Sequence, residues 1–151
     1  MSLEENKAII RNGIEAVNKR NLASLDEFIA PDYVDHTTQL GGLEGVKKFY
    51  AVFFNAFPDF HRAIDDIIAE GDRVWVRSTI TGTHTGEFRG LAPTGEKITL
   101  APTGKKITIP GVNIYRIVDG KIVETWSVTD LLGFLKQLGI IEYKGFPDEV
   151  K

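Results

Sequence analysis

The segment Gly120-Lys121-Ile122-Val123-Glu124-Thr125-Trp126-Ser127-Val128-Thr129-Asp130 ends an alternating run on a carboxylate. Side chains along a strand alternate between faces, so the spacing predicts Ile122, Glu124, Trp126, Val128 and Asp130 on one face. Turned inward, Asp130 would sit beside Trp126 in a largely apolar wall. Burial disfavours the charged form of a carboxyl group and raises its pKa, which suits proton transfer near neutral pH. The competing role for Asp130 is the N-cap of a helix over residues 131–138, where its oxygen accepts from a backbone N–H.

Other side chains that could handle protons or ligands are spread along the chain. His36 follows Asp35 in Asp32-Tyr33-Val34-Asp35-His36, and His84 stands between Gly82 and Gly86. Both are candidates to touch a pocket, because histidine is the commonest general base. His61 opens the first long strand. Arg77 shares a strand face with Trp75, Thr79 and Thr81 and projects either to a cavity or to solvent. On the strand over 111–118, Asn113 and Tyr115 alternate with Arg116. The three histidines are separated by 25 and 23 residues, so no metal is expected. A phosphate-cradling glycine loop and a Gly-x-Ser-x-Gly elbow are both missing, and there is no cysteine.

These groups need elements to hold them. Residues 4–20 read as a helix with Ile10, Ile14 and Val17 facing in. A second short helix is predicted over 21–30, ended by Pro31, and a third over 43–56 with Val46, Phe49, Tyr50 and Phe53 on an apolar stripe. Period-two strands follow over 60–70, 73–83, 97–100, 106–109, 111–118 and 121–129. Gly71-Asp72 and Asp119-Gly120 are hairpin turns. Helices followed by a strand meander imply one α+β domain over 1–151, with the helices on one face of a curved antiparallel sheet.

Residues 92–100 and 101–109 form a tandem repeat, Ala-Pro-Thr-Gly-Glu-Lys-Ile-Thr-Leu followed by Ala-Pro-Thr-Gly-Lys-Lys-Ile-Thr-Ile. An odd insertion within one strand would turn every later side chain to the wrong face. The duplicate is therefore expected as an extra hairpin, an extruded loop or a segment exchanged between protomers.

The chain has 151 residues and a formal net charge of -3, with a pI of about 5.6. This balance disfavours nucleic acid and anionic membranes as partners. No apolar run approaches the ~20 residues that span a bilayer. Glu4 and Glu5 stand where a signal peptide wants basic residues, so a cytoplasmic location is the default.

Taken in order, Pro31-Asp32-Tyr33-Val34-Asp35-His36, Phe57-Pro58-Asp59-Phe60-His61, Ala69-Glu70-Gly71-Asp72-Arg73-Val74, Gly82-Thr83-His84-Thr85-Gly86, Gly120 to Trp126, Asp130 and Gln137-Leu138-Gly139 resemble the SnoaL-like polyketide (ester) cyclase family. The likeness covers about residues 4–140 and implies the cone-shaped fold of the nuclear-transport-factor-2-like superfamily. It also implies a cyclase, or a related lyase or isomerase, that needs no cofactor and acts on a small apolar carbonyl compound. In that reading Asp130 is the general acid/base of an intramolecular aldol closure, and Trp126 is the wall that desolvates it. His36 and His84 line the pocket, and Tyr33, Arg77 and Asn113 complete the substrate site. Where the cyclases place a histidine on the preceding strand, this chain offers Asn113, Tyr115 and Arg116. Relatives pair through the exposed sheet face, which implies a homodimer. Three further readings stand beside this one: a non-catalytic small-ligand binding module, an epoxide hydrolase using Asp130 with Arg77 or Arg116, and ketosteroid-isomerase-like proton transfer at Asp35 or Tyr33.

Overall fold

The computed structural model describes residues 1–38, 41–91, 96–142 and 145. Helix α1 (Leu3–Asn18) opens on a capping box in which Ser2 and Glu5 satisfy each other's backbone N–H. A 3₁₀ turn (Leu22–Glu27) leads into β1 (Ile29–Asp35), and α2 spans Gly42–Ala56. The sheet strands β2 (His61–Glu70) and β3 (Arg73–Thr83) follow. A small hairpin, β4 (Phe88–Leu91) and β5 (Lys97–Leu100), precedes β6 (Lys106–Val118), β7 (Lys121–Thr129) and α3 (Leu131–Gln137). No helix among the described residues is long and apolar enough to cross a membrane.

The main sheet has the order β1-β7-β6-β3-β2. Helices α1 and α2 pack on one face of it, and Ile10, Val17, Phe57, Val74, Val76, Ile107, Ile117 and Phe134 fill the layer between. The hairpins close where expected. At the β6–β7 turn Asp119 and Gly120 both have positive φ, 50° and 78°, the geometry that the right-handed strand twist requires.

Four expectations need correction. The helix predicted over 21–30 is only a 3₁₀ turn, and Ile29, Ala30 and Pro31 begin β1. Strand β1 is an edge paired with β7 alone, so the missing N–H of Pro31 is tolerated there. That pairing is parallel, which makes the otherwise antiparallel sheet mixed. The strands predicted over 106–109 and 111–118 are one, running through Pro110. Pro110 O accepts from Asp130 N just where β7 has ended, so the proline's missing donor faces no strand. The last correction matters most for function. Ile117 pairs with Ile122 but Arg116 pairs with Glu124, so Val123 is an extra residue, a β-bulge. Beyond it the faces exchange: Ile122 and Thr125 point to the core, while Glu124, Trp126 and Val128 point away.

The tandem repeat makes an extra hairpin. Residues 92–95 lie outside the described residues, and the rest of the first copy supplies β5, paired with β4. The second copy supplies a turn and the start of β6. Equivalent isoleucines in the two copies meet opposite fates: Ile98 is 39 % exposed and Ile107 is 1 % exposed. Truncating Ile107 to alanine should therefore cost ~2–5 kcal/mol, while Ile98→Ala should cost less than about 1 kcal/mol. Urea unfolding of the two variants measures the difference, and equal losses would contradict this placement.

Candidate functional site

The inner face of the sheet changes character along the strands. On β3 the inward residues Val74 and Val76 give way to Ser78, all three buried. On β6 Ile117 gives way to Tyr115 and Asn113, and on β7 Ile122 gives way to Thr125 and Ser127. Strand register aligns these polar groups in two rows. Val76, Asn113 and Ser127 face one another across β3, β6 and β7. Tyr115, Thr125 and Asp35 do so across β6, β7 and β1. Tyr33 stands two residues before Asp35 on the same side, and both are buried.

Arg62 on β2 joins these rows. Its backbone is fixed to the end of α1: Asn18 Nδ2 donates to Arg62 O at 2.8 Å, and Arg62 N donates to Asn18 Oδ1 at 2.8 Å. The side chain is buried and donates from Nε to Ser78 Oγ at 3.0 Å, and from Nη2 to Asn113 Oδ1 at 2.8 Å and Tyr115 Oη at 3.0 Å. A longer contact of 3.4 Å runs from Nη1 to Tyr50 Oη on α2. Asn113 Nδ2 passes the network on to Ser127 Oγ at 2.5 Å. The Asp35 carboxylate is held by an Asx turn, Oδ1 accepting from Thr37 N at 2.8 Å and Thr38 N at 3.0 Å. Thr37 Oγ1 in turn accepts from Ser127 N at 2.7 Å. Backbone N–H groups thus tie one oxygen of Asp35 to its loop, and that loop is tied to β7.

Burial raises both phenols above the ordinary tyrosine range. For Tyr33 the burial effect is partly offset by the Thr125 hydroxyl; for Tyr115 it is partly offset by the Arg62 guanidinium. Both therefore remain protonated donors at neutral pH. Tyr115 Oη already accepts from Arg62, so its O–H is polarised and can donate elsewhere. A guanidinium and neutral phenols at one place are a suitable stabiliser for developing negative charge on oxygen.

Of the residues singled out by sequence, the structure gathers Tyr33, Asp35, Asn113 and Tyr115 here. Asp130 is exposed and caps α3, its Oδ1 accepting from Gly133 N at 2.9 Å. The apolar wall expected around it is not there, because the bulge at Val123 turns Trp126 to the outer face. Trp126 stacks on His36 at 4.9 Å, with the Arg73 guanidinium 5.1 Å from its ring centroid. His36 is exposed and reaches Glu124 Oε1 at 3.2 Å, and Arg116 binds the other oxygen of Glu124. These two partners, Arg116 first, hold the Glu124 carboxyl below its usual range. Arg77 is also on the outer face, with Nε donating to Asp66 Oδ2 at 2.7 Å. Neither Arg77 nor Arg116 converges with Asp130. His84 faces inward but at the other end of β3, stacked 5.1 Å from Phe57. Its ring Nδ1 meets Thr103 Oγ1 at 3.0 Å, which fastens the second repeat copy rather than the polar cluster. Burial lowers its pKa.

Sequence reasoning missed Arg62, Tyr50, Ser78, Thr125 and Ser127. The usable signal was parity: Arg62 falls on the inward positions of β2, opposite Ile80 of β3, where an aliphatic residue would be expected. Among the described residues no group of three or more His, Asp or Glu side chains could hold a metal. A separate cleft of about 520 Å³ beside Ser2, Asn6, Gly71 and Asp119 lies away from this cluster.

The family model for SnoaL-like polyketide cyclases matches residues 7–138. The nogalonic acid methyl ester cyclase of Streptomyces nogalater is 29% identical over 132 residues, 83% of this chain and 91% of its own length. The aklanonic acid methyl ester cyclase AcmA of Streptomyces galilaeus is 29% identical over 143 residues, 91% and 92% of the two chains. Among solved structures, AclR from Streptomyces galilaeus, provisionally named a hydroxylase, superposes with a TM-score of 0.80 at 32% identity, covering 99% of this chain and 93% of that one. With most of its length matched and its fold shared with solved structures, the chain belongs to the SnoaL-like polyketide cyclase family.

Proposed function

We propose that this protein is a cofactor-independent acid–base enzyme that closes a ring in a small, largely apolar carbonyl compound of polyketide type, at the inner face of the sheet. The observation that carries this reading is the convergence there of one buried carboxylate, Asp35, with Tyr33, Tyr115 and Arg62. With Oδ1 of Asp35 engaged by its loop, Oδ2 takes a proton from the carbon beside a substrate carbonyl. The enolate oxygen is stabilised by the Tyr115 O–H and the guanidinium behind it. The enolate carbon then attacks a second carbonyl of the same molecule, and the new alkoxide recovers the proton from Asp35. Product and substrate are isomers, and no external reagent is consumed. Asp130, the residue nominated by family resemblance, serves in this reading as the cap of α3.

Aklanonic acid methyl ester and nogalonic acid methyl ester, named for the relatives' activities, are the substrates to try. Liquid chromatography with mass detection should show an isomeric product. Asp35→Asn should lower kcat by ~10²–10⁴-fold with little change in melting temperature. Asp130→Ala should cost about 1 kcal/mol of stability and leave kcat nearly intact. Wild-type turnover in Asp35→Asn would contradict the assignment. The likeness to AclR favours a second reading, hydroxylation of the same class of substrate, in which dioxygen gives one atom to the product and a two-electron donor added to the assay reduces the other to water; a product heavier by one oxygen atom would select it.

We also propose that a second copy covers the outer face. There Ile68, Trp75, Ile114 and Trp126 are register neighbours across four strands, and Ile68 and Trp75 are 63 % and 46 % exposed. Light scattering should report a dimer for the wild type and a monomer for Trp75→Glu; a wild-type monomer would overturn this pairing.

A further inference from the structure

Arg62 stands apart from the other arginines. Arg77, Arg89 and Arg116 lie nearer the surface, and each binds a carboxylate. Arg62 is 6 % exposed, and its four side-chain partners are a serine hydroxyl, an amide oxygen and two phenols, all neutral. Among the described residues it has no ion pair. Those oxygens replace lost water, but they leave the buried positive charge uncompensated, and an uncompensated buried charge is costly.

The unused capacity is on one edge. A guanidinium carries five N–H donors. Nε is committed to Ser78, and both protons of Nη2 are committed, to Asn113 and Tyr115. Nη1 has only the 3.4 Å contact with Tyr50, so it keeps one free donor and one weakly held donor. Tyr50, Asn113 and Ser127 are only partly buried, whereas Arg62 and Tyr115 behind them are buried. Among the described residues Asp35 makes no ion pair with Arg62, and its Oδ1 is taken by the backbone N–H groups of Thr37 and Thr38.

We propose that the Nη1 edge of Arg62 binds one oxygen of an organic monoanion, a carboxylate or the enolate of a β-dicarbonyl, and that the natural ligand carries this charge apart from the carbon that gives its proton to Asp35. This rests on placing the site at the inner face. The two N–H groups of Nη1 diverge, so one anionic oxygen takes the free donor in a single charge-assisted hydrogen bond. The cost of stripping water from the arginine is already met by the fold, so the ligand's charge is rewarded where a neutral ketone's dipole is not. Tyr50 is the gate of this edge, because an incoming oxygen replaces or shares its weak contact.

Isothermal titration of the full chain tests this with three probes: naphthoate, the enolate of benzoylacetone, and neutral acetonaphthone. At least one anion should bind about tenfold or more tightly than acetonaphthone, the scale of one charge-assisted hydrogen bond. Naphthoate alone assigns the site to carboxylates, and the enolate alone assigns it to β-dicarbonyls. Arg62→Gln should abolish the preference. Should that variant fail to fold, wild-type affinity for benzoylacetone must still rise as pH passes through the diketone's own ionisation, while acetonaphthone affinity stays flat. Equal affinity for the anions and the neutral ketone overturns the proposal, as does a preference retained in Arg62→Gln. Asp35→Asn should keep the anion preference, so losing only turnover, or losing only the preference, separates failure of this site from failure of the proton-transfer mechanism.

Discussion

The hydrogen-bonded seating of Arg62 is the interaction on which the inner site depends. One residue ties the end of α1 through Asn18 and reaches β3 at Ser78, β6 at Asn113 and Tyr115, and α2 at Tyr50. A buried cation needs these partners because each donor left without one loses its water for nothing. The consequence is rigidity: five elements must hold their relative positions for the guanidinium to stay satisfied. The same seating turns the phenol of Tyr115 into a polarised donor and leaves one edge of the cation open. Structural support and chemical potential therefore come from the same contacts.

Around that point the sheet is divided by chemistry. One end of the inner face is aromatic and dry, where Phe53, Phe57, Phe88 and Phe134 pack against one another. His84 belongs to that end and serves as a clip for the second repeat copy, reinforced by backbone bonds from His84 N to Lys105 O and from Gly104 N to His84 O. Next to that end runs the polar band that holds Asp35, Tyr33 and Arg62, and beyond that band Ile117 and Ile122 are again buried and aliphatic. The outer face collects a different set, His36, Trp126, Glu124 and Arg116, stacked and paired among themselves. That set is a surface network, and its charges are of modest energetic worth.

Much of the architecture was legible in the sequence, because periodicity reports burial directly. Ile10, Ile14 and Val17 marked α1, and Asp119-Gly120 marked a hairpin through the conformational freedom its turn needs. The site was less legible for a specific reason. A bulge adds one residue to one strand, and nothing in the run from Ile122 to Val128 announces it; the exchange of faces at Val123 depends on pairing with β6. Trp126 consequently lies on the opposite face from the one its parity with Ile122 predicted. Arg62 escaped notice because arginine on a strand is ordinarily solvent-facing. Its burial is made possible by Asn18, Ser78, Asn113 and Tyr115, which are remote in sequence. The two repeat copies make the same point, since nearly identical segments end as an exposed hairpin strand and a buried sheet strand. For Asp130 the sequence offered two roles, and the geometry around it is that of a cap.

The measurement that bears most directly on this account is a crystal structure of the complex with aklanonic acid methyl ester. The account predicts ligand density on the inner face, with a carbonyl or enolate oxygen within hydrogen-bond distance of Arg62 Nη1 or Tyr115 Oη and an acidic carbon beside Asp35. Density instead at Asp130, or against His36 and Trp126 on the outer face, would contradict it.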